Sequence, residues 1–346
     1  LGGVIGYAEN TLGQEHMFGM LSSYGTLAAE EFITPLTETI YMGGIIGQSA
    51  GVSYQLSQSF GRFYNHSTIN PKERGSNLVV AAGILTANHS ENVEFVHLFN
   101  QSDASLDYYT INGSVVTGDL SNVSYTTLIN NVGSSLVLSQ SQNHQSINLY
   151  GNTSFSGVYY SSLNSYTLLR YVENHGDITF ANQTALSTTY IAGISLSENI
   201  DYLNVSYAGE INAYNLTMQT DSYTNKELFI AGFAYKLSMN RYIKNGLMSG
   251  EIHTGGILTN TVNRTPQNNI YLGGFVNINE SGNMDPNGNL SMPKATMGII
   301  NSINNAQITS TYSETYRGIT GHANVFAGGL ATFNDGDIQD SANLGD

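Results

Sequence analysis

The sequence predicts an all-β chain wound as a parallel β-solenoid, and three observations predict it. An apolar cassette centred on paired small residues recurs along the chain. A second signature, Gly followed by a carboxylate and an aliphatic residue, falls between its copies. The composition combines 40% hydrophobic residues with only 11% charged ones over 346 residues, so the chain can bury a core beneath a neutral polar surface.

The cassette reads Tyr41-Met42-Gly43-Gly44-Ile45, Val80-Ala81-Ala82-Gly83-Ile84, Tyr190-Ile191-Ala192-Gly193-Ile194, Phe229-Ile230-Ala231-Gly232-Phe233 and Tyr271-Leu272-Gly273-Gly274-Phe275. Weaker copies are Leu1-Gly2-Gly3-Val4, Met297-Gly298-Ile299 and Phe326-Ala327-Gly328-Gly329-Leu330. Gly within a strand pattern marks a bulge, a bend or a close backbone approach, as at a corner where coils stack. The flanking Ile, Leu, Phe and Tyr are the candidate core.

The second signature reads Gly118-Asp119-Leu120, Gly176-Asp177-Ile178, Gly209-Glu210-Ile211, Gly250-Glu251-Ile252 and Gly336-Asp337-Ile338. From Ile178 the two signatures alternate at Gly193, Ile211, Gly232, Ile252 and Gly274. That spacing predicts coils of about 20 residues, each covering the apolar face of the last. Asn174-His175-Gly176 and Lys244-Asn245-Gly246 offer the positive φ of tight corners. Residues 85–189 keep the alternation without a clean cassette. The stretch 279–293, with Gly282, Pro286 and Gly288, reads as a loop inserted in a single repetitive region spanning 1–346. Thr11 to Phe32 is the one helical candidate, from the loose spacing of Leu12, His16, Met20, Leu21 and Leu27. The alternative architecture is a β-propeller, because about eight cassettes average one per 40 or so residues, the size of a blade.

The string Tyr41-Met42-Gly43-Gly44-Ile45-Ile46-Gly47 resembles the GLUG-type repeat of large bacterial surface proteins, a family that includes adhesins. The resemblance covers the cassettes and implies a β-rich repeat region at a cell surface. It transfers no catalytic residue.

Composition narrows the function. With 11 Lys+Arg against 26 Asp+Glu the net charge is −15, which opposes binding to phosphate backbones, so nucleic acid is not an expected partner. Cys is absent, which excludes a disulfide-stapled fold and thiolate metal sites. No apolar run reaches the length of a membrane helix. The eight His are scattered without a zinc-peptidase pattern, and no nucleophile elbow, P-loop or dinucleotide fingerprint occurs despite 37 Gly. The chain is read as no enzyme, with no catalytic residue, no resident metal and no cofactor.

Two chemical readings compete with that one. Asp119, Asp177, Glu210, Glu251 and Asp337 could serve a carbohydrate-cleaving β-helix, or stack into a column suited to Ca²⁺. They recur once per repeat, as a register mark does, whereas an active site is built once. Lys226, Lys236, Arg241 and Lys244 are the one basic cluster, read as a solvated edge. Tyr108-Tyr109 and Tyr159-Tyr160 are candidate platforms for sugar rings.

Asn-x-Ser/Thr sequons stand at Asn65, Asn88, Asn100, Asn112, Asn122, Asn152, Asn182, Asn204, Asn215, Asn263, Asn279 and Asn289. Each is a candidate N-glycosylation site, although a chain this rich in Asn, Ser and Thr carries many by chance. Asn88 and Asn279 lie five residues after a cassette Gly, which predicts a shared solvent-facing turn. The opening Leu1-Gly2-Gly3 and the late Gly336-Asp337-Ile338 read as an excerpt of a longer repeat. The functional expectation is a secreted or cell-surface glycoprotein, a structural or adhesive segment of a fibre, stalk or sheath. Its partners would be flanking repeats, copies of itself or surface glycans. The alternative is a carbohydrate-binding or polysaccharide-cleaving β-helix.

Overall fold

A computed structural model describes residues 1–10, 20–28, 39–51, 63–70, 79–89, 93–101, 104–105, 109–111, 114–116, 123–149, 154–163, 165–180, 183–185, 188–220, 227–260, 269–281, 297–316, 319–321 and 324–345. Within them the chain is all-β. Strands pair in parallel ladders, save two antiparallel hairpins, Tyr109–Ile111 with Ser114–Val116 and Ile308–Tyr316 with Ile319–Gly321. Parallel pairing of strands one coil apart is the signature of a solenoid. It is incompatible with the antiparallel blades of a propeller.

The ladders fix the coil length. Strands Ile40–Gly43, Val79–Ala82 and Val123–Thr126 stack on one another, as do Thr189–Ala192, Glu227–Ala231, Asn269–Gly273 and Asn324–Gly328. Equivalent positions are Gly44, Gly83, Thr127, Gly157, Gly193, Gly232, Gly274 and Gly329, linked in series by the backbone and van der Waals contacts of successive coils. One coil therefore takes 30 to 55 residues, not about 20. The two sequence signatures lie on different faces of the same coil, so the interval between them measures part of a turn. In residues 85–189, Thr126-Thr127-Leu128 and Ser156-Gly157-Val158 occupy the cassette position, and the ladder Leu85, Ile129, Tyr159, Ser195, Ala234 continues without interruption.

Beyond the cassette each coil bends at its second small residue. A Cβ on Gly274 would lie 1.9 Å from the carbonyl oxygen of Gly329 in the next coil and 2.7 Å from Asn304 Nδ2 across the interior. One on Gly83 would lie 2.0 Å from Thr127 O and 2.3 Å from Asn100 Nδ2. Only a missing side chain permits both approaches.

The residue that each cassette Gly meets belongs to a column running along the axis: Asn65, Asn100, Asn143, Asn174, Tyr207, Met248, Asn304 and Asn343. The Asn members repeat one device. In Asn65, Asn143, Asn174 and Asn304 the side-chain oxygen accepts from the backbone N–H two residues on, of Ser67, Gln145, Gly176 and Ala306, while Nδ2 reaches a neighbouring coil. Asn65 Nδ2 donates to Asn100 Oδ1 at 3.1 Å, Asn143 to Asn174 at 2.7 Å and Asn304 to Asn343 at 2.7 Å. Buried amides are thus satisfied by one another.

Three residues before this column the backbone turns through a left-handed residue in every coil from the third described onward. His97, Gln140, Tyr171, Asn204, Asn245, Asn301 and Asp340 have φ between 46° and 59°. Their registers coincide. The N–H of Asn204, Asn245 and Asn301 donates to the coil beyond at 2.9–3.0 Å, and such stacking offsets the roughly 1–2 kcal/mol cost of the conformation. Lys244-Asn245-Gly246 is therefore a corner, whereas Asn174 of Asn174-His175-Gly176 points inward.

Four residues after the column, Ile147, Ile178, Ile211, Ile252 and Ile308 form an aliphatic seam. Phe233 and Phe275, both fully buried, meet edge to face at 4.6 Å, and burying each such ring is worth about 2–3 kcal/mol. The helix expected over Thr11 to Phe32 is corrected where it is described: Leu21–Ser23 and Thr26–Ala28 are strands stacked on Phe63–Asn65 and Thr68–Asn70. Their alternating side chains serve the solenoid. Residues 282–293 of the expected inserted loop lie outside the described residues, while 279 ends strand Val276–Asn279.

Candidate functional site

The first residue of each cassette points out of the coil, and in the later coils it is aromatic. Tyr190, Phe229, Tyr271 and Phe326 stack face to face, with centroids 5.2, 4.4 and 5.2 Å apart and ring planes within 10–15°. The repeat follows the strand spacing, about 4.8 Å. Beyond the Gly bend the chain returns alongside. Tyr235 meets Tyr190 at 4.6 Å and Phe229 at 5.1 Å edge to face, and Phe333 lies 5.2 Å from Tyr271. Rings from both sides of the bend touch, and Phe229 and Tyr271 in the middle of the stack are buried.

Carboxylates flank the stack. Tyr271 donates its hydroxyl to Glu227 Oε1 at 3.2 Å, and Lys236 Nζ lies 2.9 Å from Glu280 Oε2 and 3.9 Å from Glu198 Oε2. Burial, reinforced by Tyr190, Glu198, Glu227 and Glu280, raises the Tyr235 phenol above its ordinary range. Asn277, fully buried at the bend, donates to the carbonyl oxygens of Ile230 and Tyr271 at 2.9 and 3.0 Å.

The acidic candidates do not converge on a cleft. Asp177, Glu210 and Glu251 occupy one column, because Ile178 N donates to Glu210 O and Ile211 N to Glu251 O, both at 2.8 Å. Glu210 N donates to Asp177 Oδ1 at 2.9 Å, and His253 Nε2 lies 2.5 Å from Glu251 and 3.9 Å from Glu210. Asp337 belongs elsewhere: its carbonyl accepts from Ile299 N at 3.0 Å, in line with Asp201 rather than Asp177. Gly345 is the glycine in register with Gly176, Gly209 and Gly250. Asp119 lies outside the described residues. Among the described residues no group of three or more His, Asp or Glu is placed to hold a metal ion.

A second acidic position escaped the sequence reading. Asp201 accepts from Tyr166 Oη at 2.9 Å, from Tyr242 N at 3.1 Å and from Arg241 Nη1 at 3.4 Å, while the guanidinium lies 4.8 Å over the Tyr166 ring. Burial raises the carboxyl of Asp201 and outweighs these three donors, and burial beside Asp201 pushes Tyr166 up to about 12. Four residues from three coils are clamped together. Of the basic cluster, Lys236 and Arg241 are thus engaged by carboxylates, Lys244 is exposed and Lys226 lies outside the described residues.

Ser49 Oγ stands 3.0 Å from His89 Nε2, the spacing of a nucleophile and its base, but both residues are buried. Burial alone lowers His89 to about 4. No substrate reaches a pair sealed inside the coil stack. Tyr159 of the expected sugar platform is likewise buried, with Tyr160 half-buried outside. Tyr108 lies outside the described residues.

Three sequon asparagines lie inside the coil stack. Asn65, Asn100 and Asn279 are fully buried, and the nitrogen that would carry a glycan is bonded in each, to Asn100, to Thr127 O at 2.7 Å and to Asn334 at 2.7 Å. Asn88 is exposed, so it does not share its setting with Asn279. Asn204 sits at a left-handed corner and accepts from Asn245 Nδ2 at 2.8 Å. Asn112, Asn122, Asn152, Asn182, Asn263 and Asn289 lie outside the described residues, as does the side chain of Asn215.

The chain matches no protein-family profile, no curated protein and no solved structure. Among the described residues no helix is long and apolar enough to cross a membrane.

Proposed function

We propose that this chain is a structural or adhesive element of a cell surface, a rod-like spacer whose side chains serve coil-to-coil cohesion. The observation that carries the reading is the axial Asn column, with amides bonded from Asn65 to Asn100 to Asn143 to Asn174. A protein that commits buried polar groups to stacking, coil after coil, is built for axial continuity. The neutral polar composition and the GLUG-type resemblance of Tyr41–Gly47 point the same way.

Nine described coils, eight steps of about 4.8 Å, give a rod segment roughly 38 Å long from first to last strand. Antibodies against the purified chain should label intact producing cells, and electron microscopy should show the antigen in fibres or a surface layer. Labelling that appears only after permeabilisation would overturn the proposal.

A further inference from the structure

The corner that carries the left-handed residues also carries reactive chemistry. Asn245 is followed by Gly246, and the fold imposes that pair. A Cβ on Gly246 would lie 2.7 Å from Ile243 Cγ2 and 2.9 Å from Phe275 Cε1, so glycine alone fits beneath the corner, while Asn245 takes the positive φ of 55°. Asn before Gly is the least durable setting of a thermolabile residue, because no side chain on the next residue shields its backbone nitrogen. That nitrogen attacks Asn245 Cγ, the Cγ–Nδ2 bond breaks, and ammonia leaves with the former Gly246 amide proton. Water then opens the cyclic imide at either carbonyl, giving aspartate or, with the main chain routed through Cγ, isoaspartate.

In the coil stack the groups this reaction needs are held elsewhere. Asn245 Nδ2 donates to Asn204 Oδ1 at 2.8 Å, and Asn245 Oδ1 accepts from Asn301 Nδ2 at 2.8 Å. The amide is thus gripped from the coils on both sides, and rotating it breaks both bonds. Gly246 N, in a buried position, donates to Ser302 Oγ at 2.9 Å. The reaction needs that nitrogen and Cγ aligned at about 3–3.5 Å, free of such ties. The neighbouring corner residues Asn204 and Asn301 precede Val205 and Ser302, whose side chains shield the nitrogen, so the reactive step stands at one coil of the ladder.

We propose that Asn245-Gly246 is a deamidation site guarded by the Asn204–Asn245–Asn301 amide ladder, silent while the coils are stacked and released when the corner opens. The isoaspartate product lengthens the main chain within a corner held in register by the coils on both sides, so it blocks restacking and makes the opening irreversible. This goes beyond the cell-surface reading and depends only on the folded chain.

Incubated in mildly alkaline buffer, the native full chain should convert Asn245 roughly tenfold or more slowly than the urea-unfolded chain. Peptide mass spectrometry reads the exchange of the amide for a carboxyl, and isoaspartate detection confirms the imide route. Asn204→Gly with Asn301→Gly removes both amide neighbours while suiting the left-handed φ of 53° and 46°, and should speed conversion in the native state roughly threefold or more. Asn324→Ser, which breaks the separate exposed Asn269–Asn324 pair, should leave the rate unchanged. If the double variant melts early, Asn301→Gly alone decides by the same acceleration. Native wild type converting as fast as the unfolded chain, or an unchanged rate in the ladder variants, overturns the proposal.

Discussion

Asn100 Nδ2 lies 2.7 Å from the carbonyl oxygen of Thr127, one coil away, while its own Oδ1 accepts from Asn65 Nδ2 on the other side. One buried side chain therefore joins three coils. Asn100→Ala leaves buried donors and acceptors without this partner, and each such group costs about 1–3 kcal/mol. Urea denaturation should show a loss of roughly 3 kcal/mol or more. Asn301→Gly, which removes the exposed amide contact with Asn245 but keeps a residue at ease with the left-handed φ of 46°, should cost less than about 1 kcal/mol.

Gly274→Ala should destabilise by roughly 3 kcal/mol, because the added methyl meets backbone on one side and Asn304 on the other. Gly6→Ala, where nothing lies within 4 Å of the added carbon, should be close to neutral. Equal effects in thermal melts would contradict the assigned role of the cassette glycine.

Burial holds His89 at about 4, against about 6.5 in the unfolded chain. Between those values the unfolded state takes up a proton that the folded state refuses, so this contribution is lost as the pH is lowered from about 6.5 to about 4 and is constant above that window. The contribution is about 3 kcal/mol. His89→Gln should flatten the stability profile between pH 6.5 and 4, whatever its effect at neutral pH.

Expressed through a secretory pathway with an oligosaccharyltransferase, the chain should carry glycans at Asn88 and Asn204 and none at Asn65, Asn100 or Asn279. Glycopeptide mass spectrometry distinguishes these sets. Occupancy at Asn100 in folded protein would contradict the buried amide ladder.

The solenoid itself was legible in the sequence, since paired small residues between bulky ones are what a tight bend against a neighbouring coil demands. The coil length was not, because two signatures on two faces imitate one repeat of half the length. The register of Leu85, Ile129 and Tyr159 was hidden where Thr126-Thr127 and Ser156-Gly157 replace the usual small pair. The Asn column was masked by an Asn-rich composition and by the unequal intervals between its members. The aromatic row left a readable trace, for Tyr190, Phe229, Tyr271 and Phe326 each open a cassette. The clamp around Asp201 left none, because Tyr166, Asp201 and Arg241 come together only through coil stacking.

From the left-handed residue to the axial column is always three positions, as from His97 to Asn100 and from Asp340 to Asn343, although whole coils range from 30 to 55 residues. This short block acts as an indexing pin. Elsewhere a coil can gain or lose residues without shifting the phase of its neighbours, so foreign segments grafted between Gln183–Ala185 and Thr189–Ala192 would be displayed on the rod's flank while the winding on either side is preserved.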